Sequence, residues 1–137
     1  MTISLAFTHV TVGDIDEALT FYGGALGFTV HNDVSSPAGR WVTIGSDEQP
    51  GVNLVLSEPH AGRPRADGDV MQDLLAKGSL PMIGFATDDV DGLFERVQSS
   101  GAEVLQEPMD QPWGPRDCAF RDPSGNTVRI TAQSQTP

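Results

Sequence analysis

The chain carries the same helical pattern twice. DIDEALTFY (residues 14–22) sets Ile15, Ala18, Leu19 and Tyr22 at i, i+3, i+4 and i+7, and DVDGLFERV (residues 89–97) sets Val90, Leu93, Phe94 and Val97 at the same spacing 75 positions later. That spacing gathers apolar side chains on one face of a helix in each case. Asp14 and Asp89 stand where a carboxylate accepts from the free N–H groups of the first turn. Glu17, three residues after Asp14, completes a capping-box pattern.

The flanks repeat as well. A strand-like run precedes each helix, LAFTHVTV (5–12) and PMIGFAT (81–87). A glycine follows each, Gly24 and Gly101, as a left-handed terminator, and then LGFTV (26–30) or GAEVL (101–105). RWVTIG and VNLVL close the first half, DCAFR and TVRIT the second, with the turn chemistry of DPSG (122–125) between the last two. Each half therefore reads β-α-β-β-β. The expected class is α+β, two tandem βαβββ modules forming a curled mixed sheet around a cavity, in one domain over 1–137. The first module spans 4–57 and the second 80–133, with a linker over 58–79. SEPHAGRPRADG (57–68) reads as a polar loop. Asp69 is expected to cap a short helix with Met71, Leu74 and Leu75 inward, stopped at Gly78. No low-complexity tail is read beyond the last few residues, QSQTP.

Nineteen acidic against eight basic side chains give a net charge of −11. Such a surface repels phosphate backbones and anionic lipid, so neither nucleic acid nor membrane is an expected partner, whereas a cationic ligand is favoured. No apolar run approaches a membrane span. MTISLAFTHV lacks the basic region and cleavage site of a secretory signal, and the single cysteine, Cys118, cannot form an internal disulfide. Together these suit a reducing cytoplasm.

The doubled βαβββ pattern, the helix openings VGD and TDD, and the closing DPSGNTVRI resemble the vicinal oxygen chelate superfamily of glyoxalases, bleomycin-resistance proteins, extradiol dioxygenases and an epimerase. The resemblance runs from about Leu5 to Thr131. It implies paired modules curled around one cavity. It does not fix a function, since that superfamily holds both enzymes and binding proteins.

Metal-using members carry four ligands, two per half. By resemblance, one ligand lies seven residues before the Asp that opens each helix, which here gives Phe7 and Met82. The other lies on the last strand of each half: Arg129, three after the Asn of the DPxGN turn, and in the first half Val55, with Asn53 the second choice. Phe7, Val55, Met82 and Arg129 offer a hard cation no ordinary donor, and a guanidinium opposes one. No metal or other cofactor is expected. His9, two residues beyond the first ligand position, has three readings: a displaced metal ligand, a ligand-contacting or proton-exchanging group, or a hydrogen-bonded structural residue.

Strand alternation puts Phe7, His9, Thr11, Asn53, Val55, Met82, Gly84, Thr127, Arg129 and Thr131 on the cavity face. That lining is apolar with a few polar groups, as small-molecule sites are. Gly84 and Ala86 leave room, Trp41 and Trp113 could stack on a planar ligand, and Arg116 follows Trp113 in the WGPR turn. An inward Arg129 requires a counter-charge, either a protein carboxylate or a ligand carboxylate or phenolate. Cys118 reads as a core thiol, and His31 and His60 are left without a role.

The expected function is a small-molecule-binding protein without the usual metal ligands, sequestering an aromatic or amphipathic compound in the manner of bleomycin-resistance proteins, as a homodimer. Whether it is also an enzyme stays open. The alternatives are a metal-dependent glyoxalase- or dioxygenase-like lyase or isomerase with displaced ligands, or a metal-free enzyme using His9 and Arg129.

Overall fold

A computed structural model describes residues 1–133, so most of the QSQTP end lies outside the described residues. Strand β1 (Phe7–Thr11) leads into helix α1 (Ile15–Leu19), which continues as a π-helical turn over Thr20–Ala25. Strands β2 (Thr29–Ser36), β3 (Gly39–Gly45) and β4 (Asn53–Ser57) complete the first half. Helix α2 (Arg65–Ala76) crosses to the second, formed by β5 (Ile83–Thr87), α3 (Val90–Ser99), β6 (Glu103–Asp110), β7 (Arg116–Arg121) and β8 (Thr127–Ala132). The strand order is β1-β4-β3-β2 in one sheet and β5-β8-β7-β6 in the other. Only β1–β4 and β5–β8 run parallel, because only these pairs are joined by a long crossover. The two four-stranded sheets are not closed into a barrel.

Both helices start as their sequences direct. Asp14 accepts from the Glu17 N–H at 3.0 Å and Asp89 from the Gly92 N–H at 2.9 Å. Their endings differ. Gly101 ends α3 with φ +93, whereas Gly24 lies inside the π turn and the left-handed residue is Gly27, φ +86. The wider turn buries the consecutive side chains Phe21 and Tyr22, which a regular 3.6-residue period would splay apart. Strand β2 consequently begins three residues later than LGFTV suggests.

Helix α2 also departs from expectation. It starts after Pro64, whose fixed φ of −57 is already suited to a helix entrance, so Asp69 sits in its second turn and not at its cap. Gly68 within it gives space to the His60 ring, whose Nε2 meets Asp69 Oδ1 at 2.8 Å. Leu75 is buried and Met71 and Leu74 half-buried, and Gly78 (φ +72) ends the element.

One core serves both halves. Ile15, Ala18, Phe21, Tyr22, Val90, Phe94 and Val97 from the helices pack on Val42, Ile44, Leu56, Cys118, Phe120, Val128 and Ile130 from the sheets. Each large apolar side chain buried this way contributes about 2 kcal/mol relative to exposure. The DPSGN turn fastens the halves. Asp122 Oδ1 accepts from the N–H groups of Ser124, Gly125 and Asn126 at 2.9 Å each, and its Oδ2 accepts from Tyr22 Oη–H at 2.7 Å. Asn126 Nδ2 donates to the Thr11 carbonyl at 2.8 Å, and the Gly13 N–H donates to Ser124 Oγ at 2.8 Å.

Candidate functional site

Because the helices cover one face of each sheet, every second strand residue is left on the other. In the first sheet the register aligns Phe7, Asn53 and Gly45 in one row, His9, Val55 and Thr43 in the next, and Thr11, Ser57 and Trp41 in a third. In the second sheet Gly84, Arg129 and Ala119 form one row and Ala86, Thr131 and Asp117 another. The helix-facing neighbours of these residues, such as Val42, Ile44, Leu56, Val128 and Ile130, are fully buried. The face opposite the helices is open around Phe7, 58% exposed, and Met82, 60% exposed, while Thr11, Ser57, Asp117 and Ala119 on the same face are buried.

The ladder also identifies equivalent positions. His9 pairs with Val55 as Gly84 pairs with Arg129, so residues 55 and 129 hold the same place in the two modules. Phe7, Val55, Met82 and Arg129 supply two hydrocarbons, a thioether and a guanidinium, a set unsuited to a divalent cation. Among the described residues no group of three or more His, Cys, Asp or Glu side chains converges.

Arg129 has a protein partner. Its Nη1 donates to Asp117 Oδ2 and to Gln106 Oε1, both at 3.0 Å. Asp117, buried on β7, also accepts at Oδ1 from Gln106 Nε2 and Gln111 Nε2, each at 2.8 Å. Burial pushes the Asp117 carboxyl up, but the bonds from Gln111, Gln106 and Arg129 outweigh it and hold the group below the usual carboxylate range. Of the two counter-charges left open by the sequence, the one present is the protein carboxylate.

A crevice of about 390 Å³ between β1 and β5 brings His9, Thr11 and Met82 together with Arg63, Met71, Leu80 and Asn126. His9 Nδ1 stands 3.5 Å from Ser57 Oγ, and its ring meets Phe7 edge to face with centroids 5.9 Å apart. Arg63 was not expected here because it lies in the polar loop, whose composition does not give its route; Met71 was expected inward on the following helix, but not against His9.

Other candidates fall elsewhere. Arg116 alternates with the buried Asp117, and its guanidinium engages Asp91 on α3 at 2.8 Å and Asp110 at the end of β6 at 3.4 Å, so it does not join Arg129. Trp113 stands in solvent between β6 and β7, 79% exposed. Trp41 is half-buried, its indole alongside Gly39 and Gly62. Cys118 is buried with its thiol pushed up to about 11, chiefly by burial and further by Asp117 and Asp91, which keeps it protonated and unreactive at neutral pH.

Comparison with known proteins agrees with this architecture. The model of the Glyoxalase/Bleomycin resistance protein/Dioxygenase superfamily matches residues 4–130, and the chain belongs to that superfamily. An uncharacterised protein of Bacillus subtilis (strain 168), YurT, is 32% identical over 130 residues, 93% of this chain and 98% of its own length. The anthracycline biosynthesis protein DnrV of Streptomyces peucetius is 34% identical over 121 residues, 85% of this chain, but this chain spans only 42% of DnrV. The crystal structure of TnmS3, an antibiotic-binding protein from Streptomyces sp. CB03234, superposes with a TM-score of 0.74 at 30% identity over 98% of this chain and 99% of that one.

Proposed function

We propose that this protein binds and sequesters a planar aromatic or amphipathic small molecule of the antibiotic type without transforming it. The observation that carries the reading is the open face of the first sheet. It exposes an aromatic ring at Phe7 in the row of Asn53 and Gly45, with Val55 and Thr43 in the next row and half-buried Trp41 in the third, and Phe7 and Val55 are hydrocarbons that offer an ion nothing. Sequestration requires apolar area and a few orienting polar groups, and no reactive centre. The likeness to TnmS3, and to part of DnrV, supports an aromatic antibiotic, and the net charge of −11 favours one bearing an amine.

The same reading makes the protein a homodimer. Phe7, Val34, Met82, Leu105 and Met109 are large apolar side chains left exposed, more than a lone protomer gains by keeping in water. A second copy facing these sheets would complete a cavity around the ligand. Cytoplasmic residence, with Cys118 a free thiol, belongs to this reading too. Among the described residues no helix is long and apolar enough to cross a membrane.

The test is titration of purified protein with an anthracycline that bears an amino sugar, followed by fluorescence quenching and chromatography of the recovered ligand. A dissociation constant below about 10 μM with the ligand returned unchanged is the expected result. Absence of binding overturns the proposal. Chemical conversion overturns it in favour of a metal-free enzyme, the second reading, which the placement of His9 in the crevice beside Ser57 favours.

A further inference from the structure

One polar group on the open face owes its position to an irregularity of the strand. In β2, Val30 pairs with Ile44 and Asn32 with Thr43, so His31 is the extra residue of a β-bulge. A bulge re-aims the side chain it carries. Here it swings the imidazole across β3 onto Gly45, bringing Nε2 to 2.8 Å from the point that a β-carbon on residue 45 would occupy. Asn53, paired with Gly45 from the other side, brings Oδ1 to 2.5 Å from the same point. Two polar ends therefore converge over a bare stretch of backbone, in the row that also holds Phe7.

Gly45 does not use the left-handed backbone region, so conformation gives no reason for a glycine there. What it supplies is space. The second module makes the comparison direct: β6 has a bulge at the corresponding place, with Leu105 as the extra residue between Val104 and Gln106. Arg121, paired with Thr127, stands where Gly45 pairs with Asn53, and its guanidinium is tied to the Gly125 carbonyl at 2.7 Å. The shared bulge marks a feature of the repeat, while the notch filled by His31 and Asn53 belongs to the first half alone.

We propose that His31 and Asn53, converging over Gly45, form a polar subsite that reads an adjacent hydroxyl and carbonyl on the edge of a planar ring system lying over Phe7. A neutral imidazole offers one donor and one acceptor, and an amide offers both, so the pair complements a phenol–quinone edge in either orientation. This proposal rests on the binding function above and names the feature by which the ligand is selected.

The experiment compares two probes, 1,4-dihydroxyanthraquinone and unsubstituted anthraquinone, titrated into the wild-type protein, Gly45→Ala and His31→Leu, with circular dichroism and thermal melting to verify folding. Wild type should prefer the dihydroxy probe by about tenfold, the effect of one or two hydrogen bonds made in a desolvated site. Gly45→Ala must displace the ends of both side chains, yet these are flexible and the backbone is undemanding, so it should fold and lose the preference. His31→Leu should lose most of it. Affinity of both variants for the unsubstituted probe should change less than about threefold. If wild type binds both probes equally, or if Gly45→Ala keeps the preference, the subsite is refuted while the binding function stands. If wild type binds neither probe, the subsite and the aromatic-ligand reading fall together.

Discussion

The Arg129 guanidinium lies 3.0 Å from the Asp117 carboxylate, across the gap between adjacent strands on the open face of the second sheet. The acid is 8% exposed at its side chain and the base 32%, so the charge that needs the partner most is the carboxylate. Asp117→Ala should leave Arg129, Gln106 and Gln111 without their shared acceptor and cost about 2 kcal/mol in urea unfolding. Arg129→Met leaves Asp117 with two amide donors and should cost about 1 kcal/mol or less, the pair being partly in solvent.

The same carboxylate sets an acid limit. Its folded-state pKa lies below its ordinary value of 3.8, so the bonds it accepts stabilise the fold above that value. The stabilisation is lost as pH falls through the lower folded-state value. Chemical unfolding from pH 7 down to pH 2 should show the wild type losing stability below about pH 4. Asp117→Asn should show a smaller loss over that range, and parallel curves for the two proteins would contradict the assignment.

Tyr22 donates to Asp122 at 2.7 Å inside the core, and burial, with Asp122 alongside, raises the phenol far above its ordinary range. Tyr22→Phe should destabilise by about 1 kcal/mol. The cost should be uniform from pH 6 to about pH 9 and shrink as pH approaches 10, because the folded hydroxyl stays protonated while tyrosine in the unfolded chain begins to ionise near its ordinary pKa of 10. Absorbance near 295 nm should show no tyrosinate below the unfolding transition.

Asp89 caps α3 through the Gly92 N–H at 2.9 Å. Asp89→Ala should cost about 1 kcal/mol of global stability and Asp89→Asn far less, since an amide oxygen caps nearly as well. Thermal melting of the three proteins checks the order.

Phe7 touches the solvent more than the core, so Phe7→Ala should alter stability by no more than about 0.5 kcal/mol. If the open face of the first sheet holds a planar ligand, the same substitution should weaken anthracycline binding about tenfold. Unchanged affinity would move the ligand off that face.

Much of this arrangement was legible in the sequence because it follows from short-range rules. Two apolar stripes at helical spacing with an Asp before each gave the helices, and alternation along TVRIT and VNLVL separated helix-facing residues from open ones. The DPSGN turn advertised itself by composition. What escaped depends on partners far along the chain. Nothing in TVHNDV says that His31 is an extra residue; only the pairing of β2 with β3 decides that. Arg116 and Asp117 are neighbours whose side chains leave on opposite faces, so proximity to Trp113 in sequence placed Arg116 wrongly. The carboxylate that would meet Arg129 lay twelve residues upstream, one acid among nineteen. Helix α2 began early because a proline opened it, where a cap residue was sought.

The turn that closes the second half is wired into the first, through Ser124 and Asn126 to the corner between β1 and α1 and through Asp122 to Tyr22 in the π-helical turn. A duplicated chain joined in this way has no independent halves. Heating should produce one calorimetric peak and not two, and either half expressed alone should be recovered as insoluble material, rescued only when its sibling is made in the same cell.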